Sequence, residues 1–258
     1  MARALGGTAY DHRQPLLRNL PFVPVWQPSA VTVQAMVGAL RAAGLAAFAI
    51  GRAALDVGPT VFEVRSFALS REGLSVHGRS ESRRVAWTDI GLALPCRADS
   101  GQRATITTTT KKQSLARMAM GVPVAGKTVE TETERSLDHS FFCLLWARRS
   151  EPDGAELLVR LECEGLDYAG LGAHMTGSST ANYLALLRII QAQVGAAWDP
   201  RLERAGGKVA PVAAPSVSSR QVAGKTTTET VAISWDTAGA IIQAARLLVI
   251  AQRLRGLG

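Results

Sequence analysis

Residues Val61 to Leu94, VFEVRSFALSREGLSVHGRSESRRVAWTDIGLAL, constrain the fold more than any other stretch. VFEVRSFAL is dense in β-branched and aromatic residues, as a half-buried strand requires. Ser70-Arg71-Glu72-Gly73 reads as a turn, with Gly73 able to take the positive φ that a tight hairpin needs. LSVHGR returns, Ser80-Glu81-Ser82 turns again, and RRVAWTDIGLAL runs out as a third strand. The expectation is an antiparallel meander with Trp87 and Ile90 facing the core.

A second hairpin follows later. SFFCLLWAR (140–148) is an apolar run of strand length, and Glu151-Pro152-Asp153-Gly154 is a turn signal. AELLVRLECEGL returns with Leu157, Val159 and Leu161 on one face and Leu158, Arg160 and Glu162 on the other. Ser178 or Ser179 then caps a helix through TANYLALLRIIQAQVGAAW. Tyr183, Leu187, Ile190, Val194 and Trp198 form its buried stripe, and Asp199-Pro200 stops it. Asp236 caps a final helix on which Ile241, Ala245, Leu248 and Gln252 share one line, widened by Ile242 and Val249.

The remaining segments are less regular. Residues 1–28 hold Pro15, Pro21, Pro24 and Pro28, which break helices. Ser29 to Leu55 reads as a helix rich in small residues packed on a core. Arg41 and Arg52 leave only AAGLAAFAIG uninterrupted, about half of the ~20 apolar residues that a membrane span needs. Residues 98–138 form a polar insert holding ATITTTT, a short helix capped by Ser114, and TVETETER, which alternates as a solvent-facing strand does. Residues 205–225 have the Ala/Pro/Gly/Ser composition of a linker, ahead of a strand at 226–235.

Charge narrows the function. The chain carries net charge +8, but the excess is local. From Ser100 to Val129 there are five cations, Arg103, Lys111, Lys112, Arg117 and Lys127, and no carboxylate; from Glu130 to Pro200 acids outnumber bases. These five are the candidate anionic-surface binding residues. The stretch has no aromatic residue to stack on bases, so nucleic acid is not favoured. Gly121 to Thr128 fits the phosphate-loop pattern G-x-x-x-x-G-K-[ST], which would put Gly121, Gly126, Lys127 and Thr128 around a nucleotide. That chemistry requires a strand before the loop and a helix after it, whereas VETETER reads as a strand. The pentapeptide VAGKT recurs at Val222 to Thr226, which suggests a repeated turn into a strand. Cys96, Cys143 and Cys163 lack thiolate-site spacing and are expected to be buried and reduced. His12, His77, His139 and His174 form no metal pattern. Asp138-His139 with Cys143 could be imagined as a metal or thiol site, but a strand would hold His139 and Cys143 apart. No catalytic residue, metal or cofactor is expected.

Glu72-Gly73-Leu74, Arg83-Arg84 and Trp87-Thr88-Asp89-Ile90 resemble the opening of bacterial pleckstrin-homology-like domains, in a span of about Val61 to Trp198. The insert 98–138 departs from that pattern. The resemblance implies a binding or scaffold module without catalytic machinery. The expected protein is α+β: an antiparallel PH-like half-barrel (59–204) capped by a C-terminal helix, with an N-terminal extended and helical segment (1–58) and a strand and amphipathic helix (226–258) beyond the linker. The expected function is a non-enzymatic adaptor on anionic lipid headgroups or a protein partner, with homo-oligomerisation open. Without a leader-like apolar stretch at the start, a cytoplasmic protein, peripheral at the inner membrane face, is expected. The alternatives are a structural subunit of a larger complex, a nucleotide-binding protein, and a membrane-inserting pore former whose strands 103–148 pair in the bilayer.

Overall fold

The computed structural model describes residues 29–51, 59–113, 125–205, 212–213, 217–223 and 226–255. They form a mixed α+β protein that divides into two compact units. Unit 1 comprises 1–97, 140–209 and 241–258; unit 2 comprises 98–139 and 210–240. The extended segment expected at 1–28 and the helix expected after Ser114 lie outside the described residues.

Unit 1 holds two sheets and their helices. Strands β1 (Thr60–Glu63) and β2 (Ser66–Leu69) come from the stretch read as one strand. The chain changes sheets between them. The Val64 N–H donates to the Arg160 carbonyl and the Arg65 N–H to that of His77, so consecutive residues bond to different partners. β1 lies parallel to β7 (Leu157–Glu162), with Phe62 opposite Val159. β2, β3 (Gly73–His77) and β4 (Ser82–Ala86) form the antiparallel meander, with Phe67 opposite Val76 and Leu74 opposite Val85. Trp87–Asp89 form a 3-10 turn that breaks the expected third strand and starts β5 (Ile90–Gln113). Within unit 1, β1, β7, β6 (Ala125–Ala147) and β5 are neighbours in that order, and this half-barrel encloses the main core.

Helix α1 (Ala30–Ala42) is shorter than expected and mostly exposed; Val37 and Leu40 are its buried residues. The Ser29 hydroxyl accepts the Thr32 N–H at its start. Gly44, at φ +77°, ends it, and the Leu45 N–H returns to the Leu40 carbonyl. The hairpin of β6 and β7 forms with Leu145 opposite Val159, but Leu158 is as fully buried as Leu157 and Leu161. Both faces of β7 are therefore covered, rather than one.

Helix α2 (Ser179–Val194) starts at Ser178, whose hydroxyl accepts the Ala181 N–H, and buries Asn182, Tyr183, Leu186, Leu187 and Ile190. The Asn182 side chain accepts from the Thr176 N–H at 2.6 Å and donates to its carbonyl at 3.0 Å, which fixes the entry to the helix. Val194 and Trp198 are partly buried against the core.

Asp199 then starts helix α3 (Arg201–Ala205), accepting the Arg201 N–H at 3.1 Å and the guanidinium at 2.6 Å. Burial pushes its carboxyl up, but the hydrogen bonds from Arg201 prevail and hold it below the ordinary carboxylate value. A carboxyl depressed on folding stabilises the protein above its unfolded pKa, and that share is lost as pH falls through the folded one. Asp199→Asn keeps an acceptor for the Arg201 N–H but loses the charge paired with the Arg201 guanidinium, and is therefore expected to lower stability by up to about 1 kcal/mol at neutral pH. In urea titrations at a series of pH values, the gap should close below about pH 4. A gap independent of pH would show that the charge of Asp199 is not involved.

The final helix, α4 (Ala238–Arg255), starts at Asp236, whose carboxylate accepts the Ala238 N–H at 2.8 Å. Its Ile241, Ala245, Leu248 and Val249 are buried. Arg253 pairs with Glu156 and stands 5.8 Å over the Trp146 ring. From Ile241 onward the helix belongs to unit 1, as packed structure rather than a tethered amphipathic appendage.

Candidate functional site

Unit 2 is built on the outer halves of β5 and β6. β10 (Thr226–Asp236) lies antiparallel to β5, with Thr226 opposite Thr110 and Asp236 opposite Ser100. β9 (Val217–Ala223) and β8 (Val212–Ala213) pair with β10 on its other side. Part of the segment with linker composition is thus strand. Its Ser and Val residues tolerate an extended backbone, and the pairing is antiparallel across a two-residue connection from Ala223 to Thr226.

The direction of β6 against β5 follows from two contacts. His139 Nδ1 lies 2.8 Å from Asp99 Oδ1, and a Cβ built on Gly101 would stand 2.5 Å from the Ser136 carbonyl. Numbers rise on one strand as they fall on the other, so the strands are antiparallel. The last residues of β5 and the first of β6 therefore share one end of the sheet. At the opposite end Gly101 lies against the Trp235 ring, where an added Cβ would come within 2.6 Å of the ring. A small residue is needed there for β10 to approach, a role that a lone glycine in a polar run does not announce. Thr237 fastens the same end, its hydroxyl accepting the Asp99 N–H at 2.8 Å and its N–H donating to the Asp99 carbonyl.

The structure brings together three of the five candidate cations. Lys111 and Lys112 lie in the last three residues of β5, and Lys127 is the third residue of β6. Arg103 is set back on β5, opposite Ile233 of β10. Eight residues separate it from Lys111, about 27 Å of strand. Arg117 lies outside the described residues. Acidic residues begin directly beyond the lysines: Glu130, Glu132 and Glu134 are all exposed on β6. The sheet thus has a cationic end and an anionic flank. Between β9 and β10 the sequence supplies one further cation, Lys225, outside the described residues.

The phosphate-loop pattern does not acquire the context its chemistry requires. Gly126, Lys127 and Thr128 stand in β6, so a strand follows where a helix N-terminus would have to cradle phosphate. Gly121 lies outside the described residues. The second VAGKT behaves alike: Val222 and Ala223 end β9, and Thr226 opens β10. β6 and β10 flank β5 on either side, so the two copies each enter a strand paired to the same neighbour.

Among the described residues no group of His, Cys, Asp and Glu could hold a metal ion. His139 is engaged with Asp99, whereas Cys143 is fully buried in the core of unit 1. Cys96 and Cys163 are buried as well, and burial pushes all three thiols up, away from the reactive thiolate form. No described helix is long and apolar enough to cross a membrane. Comparison with protein-family models, with curated proteins and with solved structures finds no match.

Proposed function

We propose that this chain is a non-enzymatic binding module that docks on an anionic membrane surface through the cationic end of unit 2. The convergence of Lys111, Lys112 and Lys127 at one end of β5 and β6 carries this reading. Unit 1 is read as a pleckstrin-homology-like scaffold. An antiparallel meander of β2, β3 and β4, the antiparallel hairpin of β6 and β7, and the helix α2 after them support the assignment. Pore formation is less well supported. A bilayer-spanning strand needs one apolar face, and 130–135 offers Glu130, Glu132 and Glu134 on one side and Thr131, Thr133 and Arg135 on the other.

Each basic residue near an anionic surface adds about 1 kcal/mol. Replacing Lys111, Lys112 and Lys127 together by glutamine is therefore expected to weaken binding to phosphatidylserine-containing vesicles roughly 100-fold in co-sedimentation. Arg103→Gln should do much less, because about 27 Å of strand separates it from the end, more than three Debye lengths at physiological salt. Equal binding to phosphatidylcholine-only vesicles, or indifference to the triple substitution, would refute the proposal.

A further inference from the structure

Among the described residues the sheet of unit 2 ends in an open strand on both sides. β7 pairs with β6 only from Phe142 to Ala147. Every residue of β6 from 129 to 139 is exposed, and among the described residues no strand lies on the flank away from β5. On the other flank β9 is outermost over residues 217–223, and 218–223 are exposed. An unpaired edge presents alternate N–H and carbonyl groups that another strand can take up.

Charge decides which strand fits. Glu130, Glu132 and Glu134 alternate along β6 and so share one face, with Arg135 as the one cation from 129 to 137. Arg220 is the single charged residue of β9. Joining β6 to β6 sets glutamates against glutamates, and like charges across a ladder are destabilising. Joining β9 to β9 brings Arg220 to Arg220. Joining β6 to β9 antiparallel with Arg220 opposite Glu132 sets the guanidinium within the row of glutamates, on the face away from Arg135, and leaves no like pair. Seven residues of β9 match about 23 Å of the β6 flank.

We propose that copies of this chain associate head to tail, with β9 of one molecule adding to the 129–139 edge of β6 in the next. Such an interface uses two different surfaces, so it generates a closed ring or an open filament rather than a two-fold dimer. It is independent of the lipid reading, because it uses neither Lys111 nor Lys112 nor Lys127.

The test is sedimentation velocity of the full chain over a concentration series, without lipid. Wild type is expected to form oligomers larger than dimers as concentration rises. Arg220→Glu and Glu132→Lys should each weaken association about five- to tenfold, as reversal of a cross-strand charge pair would. The double variant should recover it. Both positions are exposed, and unchanged urea midpoints would confirm that the fold is intact. A wild type monomeric up to its solubility limit, or oligomers indifferent to Arg220→Glu, would overturn the proposal. So would tighter association of Glu132→Lys alone, which would indicate β6 on β6.

Discussion

Ile241→Asp is expected to abolish the folded state of unit 1, and Ile241→Ala to cost 2–5 kcal/mol, as truncation of a buried isoleucine generally does. Ile241 is wholly buried on α4, one turn before Ala245 and two before Leu248, both also buried. The Arg253 pair with Glu156 and its position over Trp146 show where the helix ends: beside the hairpin of β6 and β7. Alanine leaves a cavity at a fully buried position. Aspartate adds the cost of a carboxylate without a partner in the same space, several kcal/mol more. Domains of this kind have about 5–15 kcal/mol in total, so the second substitution exceeds what many could tolerate. Urea denaturation followed by tryptophan fluorescence and far-ultraviolet circular dichroism would measure both. Leu254→Asp is the control: at 44% exposure, two turns beyond Leu248, it should shift the midpoint little. A free, membrane-seeking α4 predicts the reverse, near-neutral changes at Ile241 and a lipid-binding defect at Leu254.

The 3.6-residue period of Ile241, Ala245 and Leu248 was legible in the sequence, and so was the capping role of Asp236. The site on which α4 packs was not, because Arg253 and its partner Glu156 lie 97 residues apart and periodicity carries no address. The same limit explains the strand error at 61–69. VFEVRSFAL has the composition of one strand throughout, and nothing local marks Val64 and Arg65 as the point where hydrogen bonding passes from β7 to β3. The turn at Ser70–Gly73 is where it was expected, with the Ser70 hydroxyl accepting the Gly73 N–H at 3.1 Å, but Gly73 does not take the expected positive φ: a glycine is needed because a Cβ there would stand 2.1 Å from the Val85 carbonyl oxygen. At the candidate site, the lysines and the alternation of TVETETER could be read directly. That β9 would come from a stretch with linker composition could not. Its residues are stabilised as strand by pairing with β10, not by their own propensity.

Trp87→Ala is expected to destabilise unit 1 by about 3–5 kcal/mol, the range for removing a buried tryptophan. Trp87 sits where the meander hands the chain to β5, and it is 7% exposed within the main core. Its backbone N–H donates to the Glu72 carbonyl at 3.0 Å and its indole Nε1–H to the Ser70 carbonyl at 3.1 Å. One residue thus fills core volume and closes the hairpin turn between β2 and β3. The next two residues fasten the corner to the other sheet: the Arg148 N–H donates to the Asp89 carbonyl at 2.9 Å, and its guanidinium to that of Thr88 at 2.6 Å. Trp87→Phe separates the contributions. It keeps most of the buried ring but leaves the Ser70 carbonyl without the indole, so about 1 kcal/mol of the loss should remain. If phenylalanine cost as much as alanine, the indole hydrogen bond would be the main tie. If alanine cost less than about 1 kcal/mol, below the usual range for a buried large side chain, Trp87 would not be the core corner described. The expected order, alanine far worse than phenylalanine, follows from a corner held chiefly by apolar volume and fixed in angle by two hydrogen bonds.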